Sequence, residues 1–349
     1  MPLTRLRENP LLTPKDLTPT RDDLEILCTF NPGAVRFRGE TLLLVRVGEA
    51  ARQRPGYCAC AVFDADAGET IVRYLRRDDP DVRLGDNRGF AYKGVPMLTS
   101  LSHLRLARST DGIHFRFDPA PAISPTTPYE AHGCEDPRIT LLDGRYYVTY
   151  SGVSERGIVV MLAATDDFRR FEKLGVMFSP TNKDVCIFPG KARGRYVCRH
   201  RPERTGRNPA SIWTAYSPDL VSWGGHELTL APVRGTWEGD RVGCGAPPIL
   251  TPEGWLEVYH AADEKGRYCL GAMLSDPDRP ERIISRSRRP ILQPETPYEL
   301  AGIYGNCVFS CGMTADETSR VTIYYGAADS ICAGAVTTVA ELLAAAKNE

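Results

Sequence analysis

Paired β-strand segments that recur along the chain are the feature that most constrains its fold. Each pair consists of two runs rich in β-branched and aromatic residues, separated by a short polar turn such as Arg38-Gly39-Glu40 or Asp143-Gly144. Turn chemistry of this kind between two such runs predicts a β-hairpin. The predicted hairpins begin at Asn31, Glu135, Asn182, Gly245 and Gly305.

A second signature follows the hairpins in several of these units. Ser/Thr-x-Asp, which forms a side-chain-capped turn, precedes an aromatic residue on a further strand at Ser109-Thr110-Asp111, Thr165-Asp166-Asp167 and Ser217-Pro218-Asp219. Units of four short strands that repeat every 40–50 residues or so are typical of β-propellers. The sequence therefore predicts an all-β fold, a five-bladed β-propeller, and the long interval from Asn31 to Asp136 leaves room for a sixth blade.

The chain divides into three predicted segments. Residues 1–30 are polar and proline-rich and suggest an extended N-terminal arm, and residues 31–336 carry the repeats of the propeller. Residues 337–349 read as a short C-terminal helix with a threonine cap. The apolar stripe of that helix is expected to pack on the propeller or on a partner subunit, so the arm and the helix are candidate contacts in a homo-oligomer.

Composition narrows the possible partners and compartments. A formal net charge of −1 gives no basic field for nucleic acid or for an anionic membrane surface. No apolar run approaches the roughly 20 residues that a membrane helix needs. Met1 to Lys15 lacks the apolar stretch of a signal peptide. We therefore expect a cytoplasmic protein with no nucleic-acid or membrane partner.

The cysteines and histidines give no sign of a metal or a cofactor. Many of the 11 cysteines lie inside predicted strands, and none form a CxxC pair or a Cys–His cluster at zinc spacing. The six histidines are scattered. Buried, reduced cysteines that act as small hydrophobic residues are the simpler interpretation.

Polar residues stand at the predicted starts and ends of the inner strands, where the blades of a propeller converge on its axis. The starts carry Asn31, Glu135-Asp136, Asn182-Lys183-Asp184, Gly245-Ala246-Pro247 and Asn306, and the ends carry Arg46, His200-Arg201, Tyr259-His260 and Asp329. Taken singly, each is more often structural than functional. Taken as a set at equivalent positions, they favour a pocket for a polar ligand with many hydroxyl groups and for an anion.

The cluster Gly133-Cys134-Glu135-Asp136-Pro137-Arg138 is the most unusual of these strand starts. Unpaired charge is costly to bury, so acidic residues at the start of an apolar run need a reason. One reading is a carboxylate–arginine pair that closes a strand end. The other is an acid held in a pocket for proton transfer.

These motifs together resemble the signature of glycoside hydrolase family 130. The resemblance covers nearly the whole chain in order and rests on Gly133 to Ile139, Asn182-Lys183-Asp184, His200-Arg201-Pro202, Gly243 to Pro248, and Tyr325-Gly326-Ala327-Ala328-Asp329. It implies a five-bladed propeller that acts on β-mannosides, most members being phosphorylases and some hydrolases.

The resemblance also implies roles for individual residues. Asp136 matches the general acid, which protonates the glycosidic oxygen through the 3-hydroxyl of the mannose in the −1 subsite. The implied substrate-binding residues are Asn31, Arg46, Glu135, Arg138, Asp184 and Asp329. The implied phosphate-binding residues are Asn182, Lys183, Arg201, Arg241, Tyr259 and His260, with Lys183 and Tyr259 adjoining the others. Inorganic phosphate is then the co-substrate, and no cofactor or metal is implied.

Simple chemistry favours a phosphorylase over a hydrolase. An inverting hydrolase needs a second carboxylate as base, about 6.5–9.5 Å from the acid, to admit a water. Phosphate is already an anion and needs cations and hydrogen-bond donors instead. Glu238 and Glu257 remain candidate bases for the alternative, an inverting β-1,2-mannosidase. Burial or Glu135 should raise the pKa of Asp136, whereas Arg138 should lower it.

Two further hypotheses come from other functional classes. The chain could be a carbohydrate-binding propeller without catalysis, or a structural propeller that serves as an interaction platform. A flat, apolar axial opening would favour the platform, and the polar residues at the strand starts argue against it. The leading hypothesis is inverting phosphorolysis of β-mannosides to α-mannose 1-phosphate.

Overall fold

The computed structural model of the protein describes residues 3–86, 88–206 and 209–348. Most of this part of the chain forms β-strands, which confirms the predicted all-β class. Its helices are short: two 3-10 helices span Pro14–Asp16 and Pro128–Glu130, and two α-helices span Pro297–Leu300 (α1) and Val339–Lys347 (α2). None of the described helices is long and apolar enough to cross a membrane.

The first antiparallel unit carries an insertion. The strands up to its end are β1 Thr4–Arg5, β2 Leu24–Phe37, β3 Glu40–Ala51, β4 Tyr57–Asp64, β5 Glu69–Arg76, β6 Val82–Leu84, β7 Gly89–Tyr92, β8 Val95–Leu98, β9 Ser100–Ser109 and β10 Arg116–Phe117. β2, β3, β9 and β10 pair in that order, while β4–β5 form a hairpin and β6–β8 a separate sheet. These two small sheets lie in the long interval from Asn31 to Asp136, in which the sequence left room for a sixth blade.

The next three antiparallel units follow one another without insertions. The second consists of β11 Gly133–Leu142, β12 Arg145–Ser154, β13 Gly157–Thr165 and β14 Glu172–Phe178. The third consists of β15 Asn182–Ala192, β16 Arg195–Pro202, β17 Ile212–Ser217 and β18 Gly224–Leu230. The fourth consists of β19 Arg241–Cys244, β20 Ile249–Thr251, β21 Gly254–Ala262, β22 Tyr268–Ser275 and β23 Ile283–Arg286, with β19 and β20 both paired to β21.

The fifth unit joins the two ends of the chain. It consists of β24 Val308–Ala315, β25 Arg320–Ala327 and β26 Ile331–Thr338, and β1 supplies its outer strand by pairing with β26. Leu12 forms an isolated bridge to Cys332, so the N-terminal arm lies along this unit. The first long strand starts at Leu24, before the boundary expected at Asn31, because residues 24–30 already pair with β3.

Inner strands of successive units contact one another in order around the molecule. β2 contacts β11, β11 contacts β15, β15 contacts β19, and the fourth unit contacts β24 through β21 and β22. β24 in turn contacts β2, so the last unit meets the first. One residue pair, Gly133 and Ser102, also bridges the first and second units in parallel.

In each of two units, a buried glutamate lies in the turn that precedes the inner strand and binds side chains of other strands of that unit. We call this arrangement the glutamate clamp. Thr127-Pro128-Tyr129-Glu130 and Thr296-Pro297-Tyr298-Glu299 form matching capping boxes, in which the glutamate accepts from backbone N–H groups of its own turn. Glu130 also accepts from Tyr150, at 2.8 Å, and from Lys173, at 2.7 Å. The clamp thus joins the turn to the second and outer strands of its unit.

In the equivalent clamp of the fifth unit, the cation is the guanidinium of Arg5, near the start of the chain. Glu299 accepts from Tyr325 at 2.8 Å and from Arg5 Nε and Nη2 at 2.8 and 2.9 Å. Arg5 lies in β1, so this ion pair holds the N-terminal strand against the end of the chain. Glu299 is fully buried, and a buried carboxylate requires such a partner.

The terminal helix packs on the chain's own fold. Thr338 is its N-cap, with its hydroxyl 3.1 Å from the Glu341 amide, and the Glu341 carboxylate accepts from the Thr338 amide at 2.9 Å. Leu342 and Ala346 are fully buried in the core cluster shared by the fourth and fifth units. Of the two expected roles for the apolar stripe, this structure shows packing within one chain. All 11 cysteines are buried free thiols.

Replacement of Arg5 by alanine should lower the free energy of unfolding by about 3 kcal/mol, because it leaves the Glu299 carboxylate buried without its cation. Urea unfolding at neutral pH measures the change. Arg76→Ala, which breaks a solvent-exposed pair with Asp78, is the control and should leave the unfolding midpoint unchanged. A midpoint that Arg5→Ala does not move would contradict the anchoring role of β1.

Candidate active site

A cavity of about 210 Å³ lies where the inner strands meet, and it gathers side chains from distant parts of the chain. Most of the predicted site residues line it: Asn31, Arg46, Glu135, Asp136, Lys183, Asp184, Arg201, Arg241 and Asp329. The remaining predicted residues, Arg138, Asn182, Tyr259 and His260, lie outside this lining. Polar residues at the strand starts of the first three units therefore converge on one cavity, whereas Gly245-Ala246-Pro247 and Asn306 of the last two units do not line it.

Three inner strands present their polar side chains through the same backbone irregularity. Asn31, Asp136 and Asp184 have φ values of 49°, 51° and 52°, in the left-handed region that is unusual for residues other than glycine. The strand register shifts at each of them, as in a β-bulge. These residues were expected just before their strands, but β2, β11 and β15 begin earlier, and the bulges lie inside them.

The carboxylate of Asp136 has two hydrogen-bond donors. Asn31 Nδ2 lies 2.8 Å and Arg46 Nη1 lies 3.2 Å from its Oδ1 atom. Arg46 also binds Glu135 at 2.7 Å. The guanidinium of Arg138, which was expected to act on the Asp136 carboxylate, donates instead to the Asp136 backbone carbonyl at 3.0 Å. Arg46 is thus the cation in contact with this acid.

Asp184 lines the cavity and contacts two arginines and one histidine. Its carboxylate lies 3.2 Å from Arg138 Nη2, 3.0 Å from Arg201 Nε and 3.1 Å from His260 Nε2. Burial disfavours its charge, but Arg201, His260 and Arg138 outweigh that effect and hold its pKa well below the usual value. Gly243 makes room for the group, because a Cβ there would lie 2.5 Å from Asp184 Oδ2.

His260 has a different position from the one expected of a phosphate ligand. It is fully buried behind Asp184, and its ring centroid lies 4.1 Å from that of Phe309. Burial lowers its pKa to about 4 despite the nearby carboxylate, so the imidazole is neutral near pH 7. Its contact with Asp184 therefore supports the position of Arg201 and adds no positive charge to the cavity.

Three cations line the part of the cavity formed by the third and fourth units. Arg201 is 4% exposed, and its Nη1 atom is buried without a hydrogen-bond partner. Lys183 pairs with Glu203 at 2.8 Å, and Arg241 pairs with Asp240 at 2.6 Å. A buried guanidinium nitrogen without an acceptor is unusual in a folded protein and indicates a place for an anionic oxygen.

Tyr259 belongs to the third copy of the glutamate clamp. Its side chain is fully buried, and its hydroxyl donates to Glu238, which also binds Arg286. The arrangement repeats the Tyr150 and Tyr325 clamps, so the predicted phosphate ligand Tyr259 is engaged away from the cavity. Asn182 likewise turns to His200, with its Nδ2 atom 3.0 Å from His200 Nδ1.

Both candidate bases of the hydrolase alternative are occupied by ion pairs. Glu238 is held in the clamp described above. Glu257 receives two bonds from Arg199, at 2.9 and 2.6 Å, and one from Ser275 at 2.7 Å. Neither glutamate lines the cavity. No carboxylate proposed as a water-activating base from the sequence therefore reaches the candidate site.

The cavity also has lining residues that the sequence did not single out: Arg88, Tyr268, Tyr304, Cys307 and Phe309. Arg88 comes from the insertion in the first unit, and its guanidinium carbon lies 5.6 Å from the centre of the Tyr304 ring. Cys307 and Phe309 follow Asn306 at a predicted strand start, so alternation along that strand could have found Phe309. No sequence signal places the insertion, and hence Arg88, over the cavity.

Two acidic groups in the cavity are harder to ionise than usual. Burial raises the pKa of Asp329 to about 6, and Arg46 offsets this only in part. Burial also raises the pKa of Glu135 against the charge of Arg46. Within the described residues no group of histidine, cysteine and carboxylate side chains has the arrangement of a metal site. The cavity thus combines carboxyl groups of raised pKa with fixed cations.

Comparison with known proteins gives a consistent set of relatives. A family model described as beta-1,4-mannooligosaccharide phosphorylase matches residues 91–348. The chain is 40% identical over 348 residues to the beta-1,2-mannobiose phosphorylase of Listeria innocua serovar 6a, covering 98% of each protein. It is 42% identical over 239 residues to the 1,2-beta-oligomannan phosphorylase of a Thermoanaerobacter species, covering 68% of this chain and 78% of that protein.

A solved structure adds a match in three dimensions. The Listeria innocua beta-1,2-mannobiose phosphorylase in complex with beta-1,2-mannobiose superposes on the whole chain, with a TM-score of 0.95 at 39% identity. The match covers 100% of both chains.

Substitution of Asp329 by asparagine should stabilise the protein above about pH 6. The folded pKa of about 6 exceeds the ordinary 3.8, so the stability that the protonated form provides is complete below 3.8 and is lost as the pH rises to about 6. The variant should exceed the wild type by about 1–2 kcal/mol near pH 8 and match it near pH 4. Urea unfolding at both pH values tests this, with exposed Asp66→Asn as the control. Equal effects of Asp329→Asn at both pH values would contradict the assignment.

Proposed function

The chain belongs to glycoside hydrolase family 130, and from this premise we propose that it catalyses the inverting phosphorolysis of β-1,2-linked mannosides. The products are α-mannose 1-phosphate and the shortened mannoside or free mannose. The relative that matches over the full length of the chain, a beta-1,2-mannobiose phosphorylase, supports the choice of the β-1,2 linkage. The observation that carries the proposal is one cavity that holds Asp136 together with Arg201, Arg241 and Lys183.

We infer that the five antiparallel units are the blades of a five-bladed propeller. The inner strands contact one another in order and the last unit meets the first, as a closed ring requires. β1 closes the fifth blade by pairing with β26. In this arrangement residues 31–336 form most of the catalytic domain, and the arm of residues 1–30 supplies the closing strand and the start of β2.

The acid side of the cavity is assigned to the scissile oxygen and the −1 mannose. Asn31 and Arg46 hold the Asp136 carboxyl group, and Asp329 and Glu135 line the same region. The proton of Asp136 passes through the 3-hydroxyl of the bound mannose to the glycosidic oxygen as the C1–O bond breaks. The leaving sugar thus departs as a neutral alcohol.

The cationic side is assigned to phosphate. Arg201 offers a buried nitrogen without an acceptor, and Lys183 and Arg241 lie beside it. A phosphate oxygen bound there attacks C1 from the face opposite the leaving group, so the β bond is replaced by an α bond. Fixed cations reduce the repulsion between phosphate and the acidic side of the cavity. Asp184 positions Arg201 and does not itself contact the sugar in this assignment.

Known chemistry separates this proposal from the hydrolase alternative. Phosphate needs no base, whereas an activated water does. Glu238 and Glu257 are held in ion pairs outside the cavity, which disfavours either as that base. The 11 buried free thiols support a reducing, cytoplasmic setting for the enzyme.

Incubation with β-1,2-mannobiose should release α-mannose 1-phosphate and mannose in equal amounts, and only when phosphate is present. Asp136→Asn should lower kcat by about 10²- to 10⁴-fold, the usual contribution of a general acid. Phosphate-independent release of free mannose would identify a hydrolase instead. Binding of mannobiose without turnover in the wild type would identify a carbohydrate-binding protein.

Removal of the Arg201 guanidinium in Arg201→Ala should raise KM for phosphate by about 10- to 100-fold, the loss of one or more charged hydrogen bonds. KM for mannobiose should change far less, because Arg201 is assigned to phosphate alone. Arg169→Ala, at an exposed turn position, is the matched control and should leave both constants unchanged. A rise in KM for mannobiose with no change for phosphate would contradict the assignment.

A further inference from the structure

The catalytic cavity opens into a second and larger cavity whose character is unexpected for an enzyme of sugars. This neighbour has a volume of about 890 Å³ and shares Arg46, Arg88, Glu135, Lys183 and Asp329 with the catalytic cavity. We call it the apolar groove. Beyond the shared residues, half of its lining residues are leucine, isoleucine, phenylalanine, valine or methionine, and the polar ones are Arg83, Asp86, Thr99 and Ser100. The shared residues make it continuous with the site of reaction.

The two walls of the groove come from different parts of the fold. The insertion of the first unit supplies Leu84, Phe90 and Leu98 on one side. The second unit supplies Val153 and Ile158, which flank the turn between β12 and β13, on the other. Phe90 is anchored in the small core of the insertion together with Cys58 and Val82, so that wall has its own packed support.

Apolar side chains in the groove are not explained by packing. Leu98, Val153, Ile158 and Ile303 are partly exposed and lie outside the packed hydrophobic clusters of the described chain. Leu84 is 58% exposed. Apolar surface left open beside a reactive site costs solvation free energy unless a ligand covers it, and such grooves commonly mark binding sites.

A different opening suits an ordinary sugar chain. A third cavity of about 970 Å³ shares Arg88 and Tyr304 with the catalytic cavity, and it is lined by charged residues such as Asp263 and Lys265, with Trp237 as an aromatic surface. Hydroxyl groups of further mannose units would find hydrogen-bond partners there. The apolar groove also has polar lining residues, but its walls at Leu98, Val153 and Ile158 offer no side-chain hydrogen-bond partner. The part of an occupant that lies between these walls is therefore expected to be apolar.

We propose that the apolar groove binds a hydrocarbon portion of the leaving group, so that the enzyme accepts β-mannosides whose leaving sugar carries an alkyl or aryl aglycone. The groove is charged where it meets the catalytic cavity and apolar at Leu98, Val153 and Ile158. This matches an amphipathic glycoside whose leaving sugar lies where the two cavities meet and whose chain runs toward Leu98 and Ile158.

This inference rests on the proposed phosphorolysis. It is most easily tested in the reverse reaction, the synthesis of a β-mannoside from α-mannose 1-phosphate. A hydroxyl oxygen of the acceptor sugar attacks C1 of α-mannose 1-phosphate, the C1–O bond to phosphate breaks, and inorganic phosphate leaves. The acceptor's proton passes to the Asp136 carboxylate, and a new β-mannosidic bond forms. An alkyl group on the acceptor's anomeric oxygen takes no part in the chemistry, so it reports on the groove alone.

The experiment compares mannose with methyl, butyl and hexyl β-mannosides as acceptors, below the concentration at which any of them forms micelles, by the release of phosphate. KM should fall about twofold for each methylene, as expected of a half-buried chain, and so by about 30-fold from methyl to hexyl. Equal KM values for the methyl and hexyl acceptors in the wild type would overturn the proposal, including the case in which a second copy of the chain covers the groove.

A pair of substitutions locates the binding site of the chain. Leu98→Ser with Ile158→Ser should reduce the methyl-to-hexyl ratio of KM to about threefold and leave the methyl acceptor unaffected. Leu228→Ser, at an exposed position on β18, should keep the wild-type ratio. An unchanged ratio in the double variant would show that the chain binds elsewhere. Failure of all acceptors, mannose included, would instead refute the proposed phosphorylase, and this inference with it.

Discussion

The buried carboxylate of Asp184 is the interaction on which the rest of the site depends. It lies in the third unit and binds Arg138 of the second, Arg201 of the third and His260 of the fourth. Removal of a buried charge from such a network leaves its partners uncompensated, which is far more costly than the net value of any one pair. One side chain therefore fixes both the meeting of three units and the direction of the guanidinium that faces the cavity.

A second node of the same kind lies on the acid side. Arg46 of the first unit reaches Asp136 and Glu135 of the second, and Asn31 completes the contact. In both nodes an arginine on the second strand of a unit binds an acid on a bulged inner strand. Arg201 binds Asp184 of its own unit, whereas Arg46 binds Asp136 of the next unit. Both acids line the cavity, but they differ in accessibility: Asp184, which contacts His260 and Arg138, is 1% exposed, whereas Asp136 is 9% exposed.

The sequence was informative wherever local chemistry repeats with the fold. Hairpin turns were enough to predict the all-β class, and polar residues at strand starts and ends predicted much of the cavity lining, including Asp136 and Arg201. Arg241 was predicted only from the family resemblance. The sequence patterns could not show that the polar residues lie in bulges within longer strands, since a bulge depends on pairing with a neighbouring strand. Tyr259 was assigned to phosphate because it adjoins His260, whereas its tertiary partner Glu238 places it in a clamp. The first two clamps share the sequence Thr-Pro-Tyr-Glu, at Thr127 to Glu130 and at Thr296 to Glu299. The third clamp, with Glu238, lacks the proline, so this shared sequence does not identify it.

The clamps also bear on which reaction the fold can support. In each clamp a buried glutamate binds a tyrosine and a cation. In the third clamp this glutamate is Glu238, which is close in sequence to Arg241 of the cavity. Freeing that glutamate to act as a base would leave Tyr259 and Arg286 without their shared acceptor inside a packed unit, at a cost in stability. The fold therefore holds Glu238 and Glu257, the two candidate bases, in ion pairs outside the cavity. A nucleophile that arrives already ionised, such as phosphate, is the one that this arrangement can use without a base.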